Sequence, residues 1–160
     1  MIRSVREADI PQITNIYNYY IKHTIITFEE DEITDAEMGN RIREISLKYP
    51  WIVYEEGGKV IGYAYANLWR LRSAYRYSAE ATVYLDVEQT GKGIGSKLYE
   101  ALISAVKNME VHSLIGGISL PNDASVALHE KFGFIKCAQF REVGRKFDSW
   151  IDVGYWEKLM

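Results

Sequence analysis

A glycine-rich segment, Thr90–Ser96, separates a long β-rich run at about Tyr75–Val87 from residues with apolar side chains at helical spacing. Main-chain N–H groups converge where a strand turns into a helix, and the helix dipole favours an anion there. Glycine also lets the main chain approach a phosphate without a Cβ in the way. The order strand, glycine turn, helix therefore predicts an α/β fold with an anion site at Gly91, Lys92, Gly93, Ile94, Gly95 and Ser96.

Two nucleotide-binding motifs compete for this turn, and neither fits it. A Walker A loop needs GxxxxGK followed by Ser or Thr, and no glycine here precedes Lys and then Ser or Thr at that spacing. A dinucleotide fingerprint needs GxGxxG, whereas the turn is GxGxG and no acidic residue follows at a strand end about 20 residues later. On these residues alone, a turn that only packs a helix close to a strand remains an alternative to an anion site.

Strands and helices are predicted on both sides of this turn. A short strand, Ile2–Arg6, precedes a first helix, and Thr34–Glu37 is a capping box that opens a second helix ending before Pro50. Gly57-Gly58 splits two β-rich runs and indicates a hairpin. Later strands are predicted at about 113–120, 134–143 and 147–157, the last two around a turn at 144–146, with a helix ending at Gly133. The order β-α-α-β-β-β-α-β-α-β-β predicts one domain, residues 1–160, whose mixed sheet carries helices on both faces.

Charge and cysteine content exclude several classes of protein. The 160 residues carry 19 Lys and Arg against 22 Asp and Glu, a net charge of −3, which gives no general attraction to nucleic acid or an anionic membrane. The single cysteine, Cys137, excludes an intramolecular disulfide and a CxxC motif, and we expect it in the core. No apolar run approaches the roughly 18 residues of a membrane helix, and the charged start lacks a signal peptide's apolar core. We expect a cytoplasmic protein.

The glycine turn and a second, later motif resemble the GNAT superfamily of N-acetyltransferases. The turn is similar to the superfamily's pyrophosphate loop, [RQ]-x-x-G-x-[GA], with Gly93 and Gly95 at the small positions and Thr90 in place of Arg or Gln. The later motif, N-x-x-[AS]-x-x-[LF]-[YH]-E-x-x-G-F, is matched in order by Asn122, Ser125, Leu128, His129, Glu130, Gly133 and Phe134. The resemblance implies the acyl-CoA N-acyltransferase fold, with a mostly antiparallel central sheet.

Nearly the whole chain is similar to the phosphinothricin and methionine sulfoximine acetyltransferases within that superfamily. The segments that carry this likeness are Arg72–Tyr75, Glu80–Tyr84, Leu120–Asn122, Leu128–Glu130, Val143–Lys146 and Trp150–Gly154. The resemblance implies acetyl-CoA as the acetyl donor, with no metal. It further implies a small amine that bears a carboxylate as the acceptor, and commonly a homodimer.

Two residues are the candidate catalytic groups. The resemblance implies that Glu80 accepts the ammonium proton of the substrate, directly or through water, and partial burial would raise its pKa toward a useful value. Strand alternation alone favours an outward, solvated carboxylate instead. His129 stands where many members of the superfamily have a tyrosine, and the resemblance implies that it protonates the departing thiolate. A structural role in its helix is the alternative.

The remaining candidates would bind the two substrates. The resemblance implies that main-chain groups of Val83, Tyr84 and Leu85 contact the pantetheine amides and the thioester carbonyl, and that Asn122 hydrogen-bonds the cofactor. The position of Asn122 between a strand and a helix favours an N-cap as the alternative. A guanidinium can hold a carboxylate or phosphinate with two parallel hydrogen bonds. The predicted acceptor site is Arg72, Ser73, Ala74 and Tyr75, completed by Lys146 and Trp150. A solvated cationic loop is the alternative.

The predicted reaction is direct transfer in a ternary complex, in which the free amine attacks acetyl-CoA. An acetyltransferase for a protein N-terminus or a polyamine is the first alternative. A polyamine would favour an acidic groove, whereas the residues before Glu80 are rich in arginine. A non-catalytic acetyl-CoA-binding module is the second alternative.

Overall fold

The computed structural model describes residues 1–160, which form one seven-stranded sheet with helices on both faces. The strands are β1 (Ile2–Ser4), β2 (Trp51–Glu56), β3 (Lys59–Leu68), β4 (Ser78–Leu85), β5 (Ser113–Leu120), β6 (Ile135–Lys146) and β7 (Ser149–Leu159). The helices are α1 (Ile10–His23), α2 (Asp35–Ser46), α3 (Ile94–Lys107) and α4 (Asp123–Lys131). The predicted α/β class and the order of these elements are confirmed.

The sheet has the strand order β1-β2-β3-β4-β5-β7-β6, and it is antiparallel at every step except one. The exception is β4 and β5, which run parallel and pair only where Ser78–Glu80 meets Ser113–Ile115. Beyond that point β4 continues to Leu85 and β5 to Leu120 without pairing to each other. The two central strands therefore separate, and a gap opens in the middle of the sheet.

Two hydrophobic cores, one on each face, hold the sheet around this gap. On one face α1 and α2 cover Trp51, Val53 and Tyr63, and on the other α3 packs its Leu98 and Leu102 against the strands. Both leucines are fully buried, and burying one such side chain stabilises the fold by about 1.5–3 kcal/mol. Successive side chains of β4 point alternately to the two faces of the sheet, as they do in any strand.

The structure corrects two predicted boundaries. Ser73–Tyr77 forms a 3₁₀ helix in which the N–H of Tyr75 donates to the carbonyl of Arg72 at 2.9 Å, so the central strand begins at Ser78 and not at Tyr75. The turn between the last two strands is Phe147-Asp148, with φ of 50° and 57°, and Gly144 lies inside β6. A two-residue hairpin turn of this kind needs positive φ at both central residues, which no apolar pattern reveals.

Two smaller predictions also change. Cys137 is exposed because β6 is the edge strand of the sheet, and its Sγ donates to the carbonyl of Tyr155. Only one of the two hydrogen bonds of the predicted capping box forms. The Thr34 hydroxyl accepts the N–H of Glu37 at 3.2 Å, whereas the Glu37 carboxylate pairs with Arg41. None of the helices is long and apolar enough to cross a membrane.

Candidate active site

Two joined cavities lie where β4 and β5 separate. The first has a volume of about 420 Å³ and contains Glu80 and His129 in its wall. The second has a volume of about 450 Å³ and is bordered by the glycine turn and α4. Both cavities are lined by Ile26, Val83, Tyr84, Asn122 and Ser125. Because they share these residues, the two cavities meet at the gap in the sheet.

Glu80 and His129 approach β5 from opposite faces of the sheet. The neighbours of Glu80 in β4, Ala79 and Ala81, belong to the core beneath α3, so Glu80 points to the face that carries α1. His129 lies in α4 on the opposite face. An ideal Cβ placed on Gly117 would lie 3.2 Å from Glu80 Oε1, and one on Gly116 would lie 2.1 Å from His129 Nε2. These adjacent glycines leave the space that both side chains occupy.

The carboxylate of Glu80 is largely surrounded by protein. Burial raises its pKa, and the charge of Arg70 opposes that shift. Tyr155 also lines this cavity, and its ring packs edge-on against Trp69 with 5.4 Å between centroids. A carboxylate with a raised pKa is a better proton acceptor than an exposed one. The structure therefore supports the partial burial that the sequence predicted for Glu80.

His129 is held as a neutral imidazole. Its ring is only 4% exposed, and it packs edge-on against Tyr99 and Phe134 with centroid distances of 5.0 and 5.2 Å. Nδ1 lies 2.7 Å from the carbonyl oxygen of Ser125, which assigns the ring proton to Nδ1. Burial lowers the pKa of His129, and the hydrogen bond to Ser125 opposes the shift.

This arrangement bears on the predicted role of His129 as the proton donor to the thiolate. Nε2 is buried without a hydrogen-bond partner, and in this tautomer it carries a lone pair and no proton. The neutral ring can accept a proton at Nε2 but has none to give there. The donor role stays a prediction, and it requires that the ring be protonated first.

The glycine turn has the geometry of an anion site. Gly91 and Gly93 have φ of +76° and +77°, conformations in which other residues are strained, and nothing lies within 4 Å of a Cβ built on either. Gly93 is the N-cap of α3 and has no side chain to satisfy the first amides of the helix. Lys131 adds a positive charge, since its Nζ donates to the Ser96 hydroxyl at 3.0 Å.

Not every residue of the predicted loop lines the second cavity. The cavity wall includes Gly91, Gly93, Gly95 and Ser96. The Lys92 ammonium instead donates to the Gln89 side chain at 2.8 Å, and Ile94 is buried in the core beneath α3. Any contribution of these two residues to anion binding comes from their main-chain amides.

The open edge of β4 carries main-chain groups toward the gap. The N–H of Asp86 donates to Ile61 of β3, so the preceding carbonyl, that of Leu85, points away from β3 and accepts the hydroxyl of Tyr20 at 2.7 Å. By strand alternation the N–H and C=O of Val83 face the same open side. The Leu85 carbonyl already has a partner, so Val83 is the better placed of the predicted main-chain contacts.

Asn122 has the structural role that the sequence offered as one alternative. Its Oδ1 accepts the N–H of Ser125 at 3.1 Å and so caps α4. The side-chain amide nitrogen has no protein partner, and Asn122 lines both cavities. Capping α4 and binding a ligand through Nδ2 are therefore compatible.

The predicted acceptor-binding residues do not line the cavity that contains Glu80. Arg72 and Tyr75 border a separate, open cavity of about 610 Å³ with Trp69 and Arg70, and Ser73 and Ala74 lie in the adjoining 3₁₀ helix. Trp150 is 62% exposed beside Arg145, and the Lys146 ammonium donates to the carbonyl of Thr27. Their role in substrate binding stays a prediction.

Several residues of the first cavity were missed by the sequence interpretation. They are Ile26, Thr27 and Phe28 from the segment before α2, Thr82 in β4, Gly117, Ile118 and Ser119 in β5, Val143 in β6, and Val153 and Tyr155 in β7. One signal was available, because two adjacent glycines inside a strand indicate that something approaches the backbone closely. The other residues come from distant parts of the chain and have no local signature.

The burial of Glu80 predicts a stability difference that depends on pH. Because the folded-state pKa is raised, ionisation of Glu80 destabilises the protein as pH rises through that pKa. Glu80→Gln should therefore melt at a higher temperature than the wild type at about pH 7.5, and the difference should shrink on acidification. Thermal unfolding followed by circular dichroism measures it. Glu44→Gln, which changes an exposed carboxylate of α2, is the control, and equal stability of Glu80→Gln and wild type at both pH values would contradict the burial.

Comparison with known proteins agrees with the fold and the motifs. Residues 2–154 match the family model described as an acetyltransferase (GNAT) domain. The L-methionine sulfoximine/L-methionine sulfone acetyltransferase of Salmonella typhimurium is 37% identical over 155 residues, which are 96% of this chain and 91% of that protein. The predicted superfamily is thereby confirmed.

Solved structures agree over the full length of the chain. A protein of Brucella melitensis described as a ribosomal-protein-alanine N-acetyltransferase superposes with a TM-score of 0.98 and 34% identity, covering 100% of this chain and 99% of that one. A phosphinothricin acetyltransferase of Sinorhizobium meliloti, solved with acetyl-CoA, has a TM-score of 0.97 and 34% identity and covers 100% and 88%. The cytoplasmic location and the absence of nucleic-acid and membrane partners stay predictions. The chain belongs to the GNAT acetyltransferases.

Proposed function

We propose that this enzyme transfers the acetyl group of acetyl-CoA directly to the amine of a small amino acid of the methionine sulfoximine or phosphinothricin type. The observation that carries the proposal is the position of Glu80. Its partly buried carboxylate lies at the gap between β4 and β5, on the face opposite the helix that carries His129. A base on one face and an anion site reached from the other would let two substrates meet in the gap.

The second cavity fits acetyl-CoA, the donor of this family. The open positive-φ glycines and the uncapped amides of α3 suit a pyrophosphate, and Lys131 supplies a charge beside them. The main-chain groups of Val83 on the open edge of β4 suit the pantetheine amides and the thioester carbonyl. No side chain is needed at these contacts, because backbone donors are held in place by the fold.

The charges around Glu80 favour an amine that also bears an anionic group. Glu80 faces the cavity, and the charge of Arg70 is close enough to act on its pKa. The Glu80 carboxylate would attract the substrate ammonium, while the arginines of the loop before β4 would attract a carboxylate or phosphinate. This pairing favours an amino acid over a polyamine, which has no anionic group for the arginines.

The chemical step begins when Glu80, or a water beside it, takes one proton from the substrate ammonium. The neutral nitrogen then attacks the thioester carbon, and the tetrahedral intermediate collapses with breakage of the carbon–sulfur bond. The nitrogen loses its second proton as the amide forms, and the thiolate gains one to leave as the free thiol. His129, as a neutral ring with a free lone pair, would accept a hydrogen bond or a proton at Nε2 during these proton transfers.

A panel of acceptors tests the proposed substrate class. Release of free thiol from acetyl-CoA would be followed with L-methionine sulfoximine, phosphinothricin, spermidine and a peptide that begins with alanine. We expect kcat/KM for the two amino acids to exceed that for the other amines by at least about 100-fold, because only these small acceptors pair an ammonium with Glu80 and a nearby anionic group with the arginines of the loop before β4. With methionine sulfoximine, varying both substrates should give intersecting reciprocal plots, as direct transfer requires.

Three results of these measurements would contradict the proposed function. A higher kcat/KM for the alanine peptide or spermidine would assign the acceptor to a protein N-terminus or a polyamine. Parallel reciprocal plots would contradict a ternary complex. Binding of acetyl-CoA in a calorimeter without thiol release from any amine would identify a non-catalytic module.

Replacement of Glu80 tests its proposed role as the base. In Glu80→Gln the amine must lose its proton to water, so kcat/KM for methionine sulfoximine should fall by about 10²–10⁴-fold at neutral pH. The loss should diminish as pH rises, since more of the amine is then already neutral. The KM for acetyl-CoA should stay unchanged, and Glu44→Gln is the matched control. A rate equal to that of the wild type across the pH range would rule out Glu80 as the base.

We also propose that the enzyme is a homodimer formed through the β6–β7 hairpin. Six large apolar side chains of this hairpin are more than half exposed, and four of them, Phe140, Val143, Phe147 and Trp150, lie toward its turn while Ile135 and Leu159 lie at its open end. A cluster of exposed apolar side chains on a soluble domain is typical of an interface. Sedimentation equilibrium should give about twice the 18.5 kDa chain mass, and Trp150→Glu should shift the protein toward the monomer. A monomer at every concentration would contradict the proposal.

A further inference from the structure

One wall of the first cavity is formed by a segment without regular structure, Thr24–Thr34, which we call the wall segment. Its Ile26, Thr27 and Phe28 line the cavity. Such a segment takes one position only where the rest of the protein fixes it, because ordering each residue costs about 1–2 kcal/mol of backbone entropy. The contacts that fix it therefore decide the shape of this wall.

Most of these contacts come from α1 and α2. The Tyr17 hydroxyl is hydrogen-bonded to the Thr27 hydroxyl at 2.8 Å and also donates to Glu29. Arg41 of α2 binds the Glu29 carboxylate with two hydrogen bonds of 2.9 and 2.5 Å. Asn18 accepts the N–H of Ile33 and donates to its carbonyl. These bonds hold the segment from the side of the helices.

Lys146 at the end of β6 holds the wall segment from the opposite side. Its side chain is only 2% exposed, and its Nζ donates to the carbonyl oxygen of Thr27 at 2.8 Å. Burial lowers the pKa of Lys146, while the charges of Glu30 and Glu29 oppose the shift. A buried ammonium is costly unless it is well bonded. The ammonium that is buried at this cost belongs to Lys146, the one residue that hydrogen-bonds the hairpin to the wall segment.

Gly144, two residues earlier in β6, provides the second contact. A Cβ built on Gly144 would lie 2.2 Å from Phe28 Cε2 and 2.4 Å from Cζ, so the Phe28 ring occupies the space that any side chain would fill. Gly144 lies directly after a shift of register in the pairing of β6 with β7, between Phe140 and Gly144. Gly144 and Lys146 thus contact two consecutive residues of the segment, Phe28 and Thr27.

We infer that Lys146 and Gly144 are positioning residues that fix the wall segment and thereby set the width of the acceptor cavity. The inference rests on the proposed function, because it takes the first cavity as the place where the acceptor binds. It assigns to Lys146 a contact with the protein in place of the predicted contact with substrate. The ammonium is bonded to Thr27, the side chain is buried, and Lys146 does not line the cavity.

Hydrogen exchange tests the structural half of the inference without any substrate. In Lys146→Met, which keeps the length of the side chain and removes the donor, amides of residues 24–34 should exchange at least about tenfold faster, as expected for loss of one buried hydrogen bond. Lys146→Arg, which keeps a donor, should restore most of the protection. Lys136→Met, a change of an exposed lysine in the same strand, is the control. Unchanged exchange in Lys146→Met would overturn the inference whether or not the enzyme acetylates amino acids.

Steady-state kinetics separates positioning from direct substrate binding. The acceptors are L-methionine sulfone and 3-(methylsulfonyl)propylamine, which differ only by the carboxylate. Lys146→Met should raise the KM for both acceptors by a similar factor, about tenfold, and leave the KM for acetyl-CoA within about twofold. A rise confined to methionine sulfone would mean that Lys146 binds the carboxylate itself, and would overturn the inference.

A pair of substitutions tests the contact at Gly144. Gly144→Ala should displace the Phe28 ring and raise the acceptor KM, and adding Phe28→Leu should recover part of the loss by removing the clash. Additive effects of the two changes would show that they act independently and would contradict the positioning role of Gly144. If the wild type acetylates neither acceptor, the proposed function fails, and the exchange experiment still decides whether Lys146 holds the segment.

Discussion

The structure depends on a pairing of strands that stops early. β4 and β5 share only three paired positions, at Ser78–Glu80, before they separate. Unpaired main-chain groups inside a sheet are costly unless they gain other partners, so a gap of this kind is retained where something uses it. Here the open edge of β4 borders both cavities, and the two candidate catalytic side chains meet the gap from opposite faces.

The position of the gap explains other features of the sequence that would otherwise be unrelated. Gly116 and Gly117 are adjacent in β5, and each leaves room for one side chain on its own face: His129 on one and Glu80 on the other. The two hydrophobic cores lie on either side and keep the strands in place although their mutual hydrogen bonds end. The partly buried carboxylate of Glu80 costs stability at neutral pH, and its raised pKa suits proton transfer.

The local part of the site could be predicted from the sequence. Gly91 and Gly93 indicate a turn before a helix, because both take a positive φ that favours glycine. Asn122 as the cap of α4 also follows from local chemistry. Both patterns depend on residues that are close together in the sequence. The order of strands and helices was also predicted from such local patterns.

The rest depends on contacts between distant residues. Lys146 carries a charge and was predicted to meet substrate, yet its partner is a main-chain carbonyl 119 residues away. Cys137 fits a buried strand by its residue type, and only the strand order places it on the exposed edge. The tautomer of His129 likewise follows from the Ser125 carbonyl, and no pattern in the sequence indicates it. Such features need the fold before they can be inferred.

In the proposed reaction the thioester lies in the gap between β4 and β5, with Glu80 on the acceptor side of it. A crystal structure of the complex with acetyl-CoA tests this most directly. We expect the pantetheine along the open edge of β4, the thioester carbonyl within hydrogen-bond distance of a main-chain N–H near Val83, and the acetyl carbon facing the cavity of Glu80. Pantetheine bound outside the gap, or an acetyl group on the opposite face and away from Glu80, would contradict it.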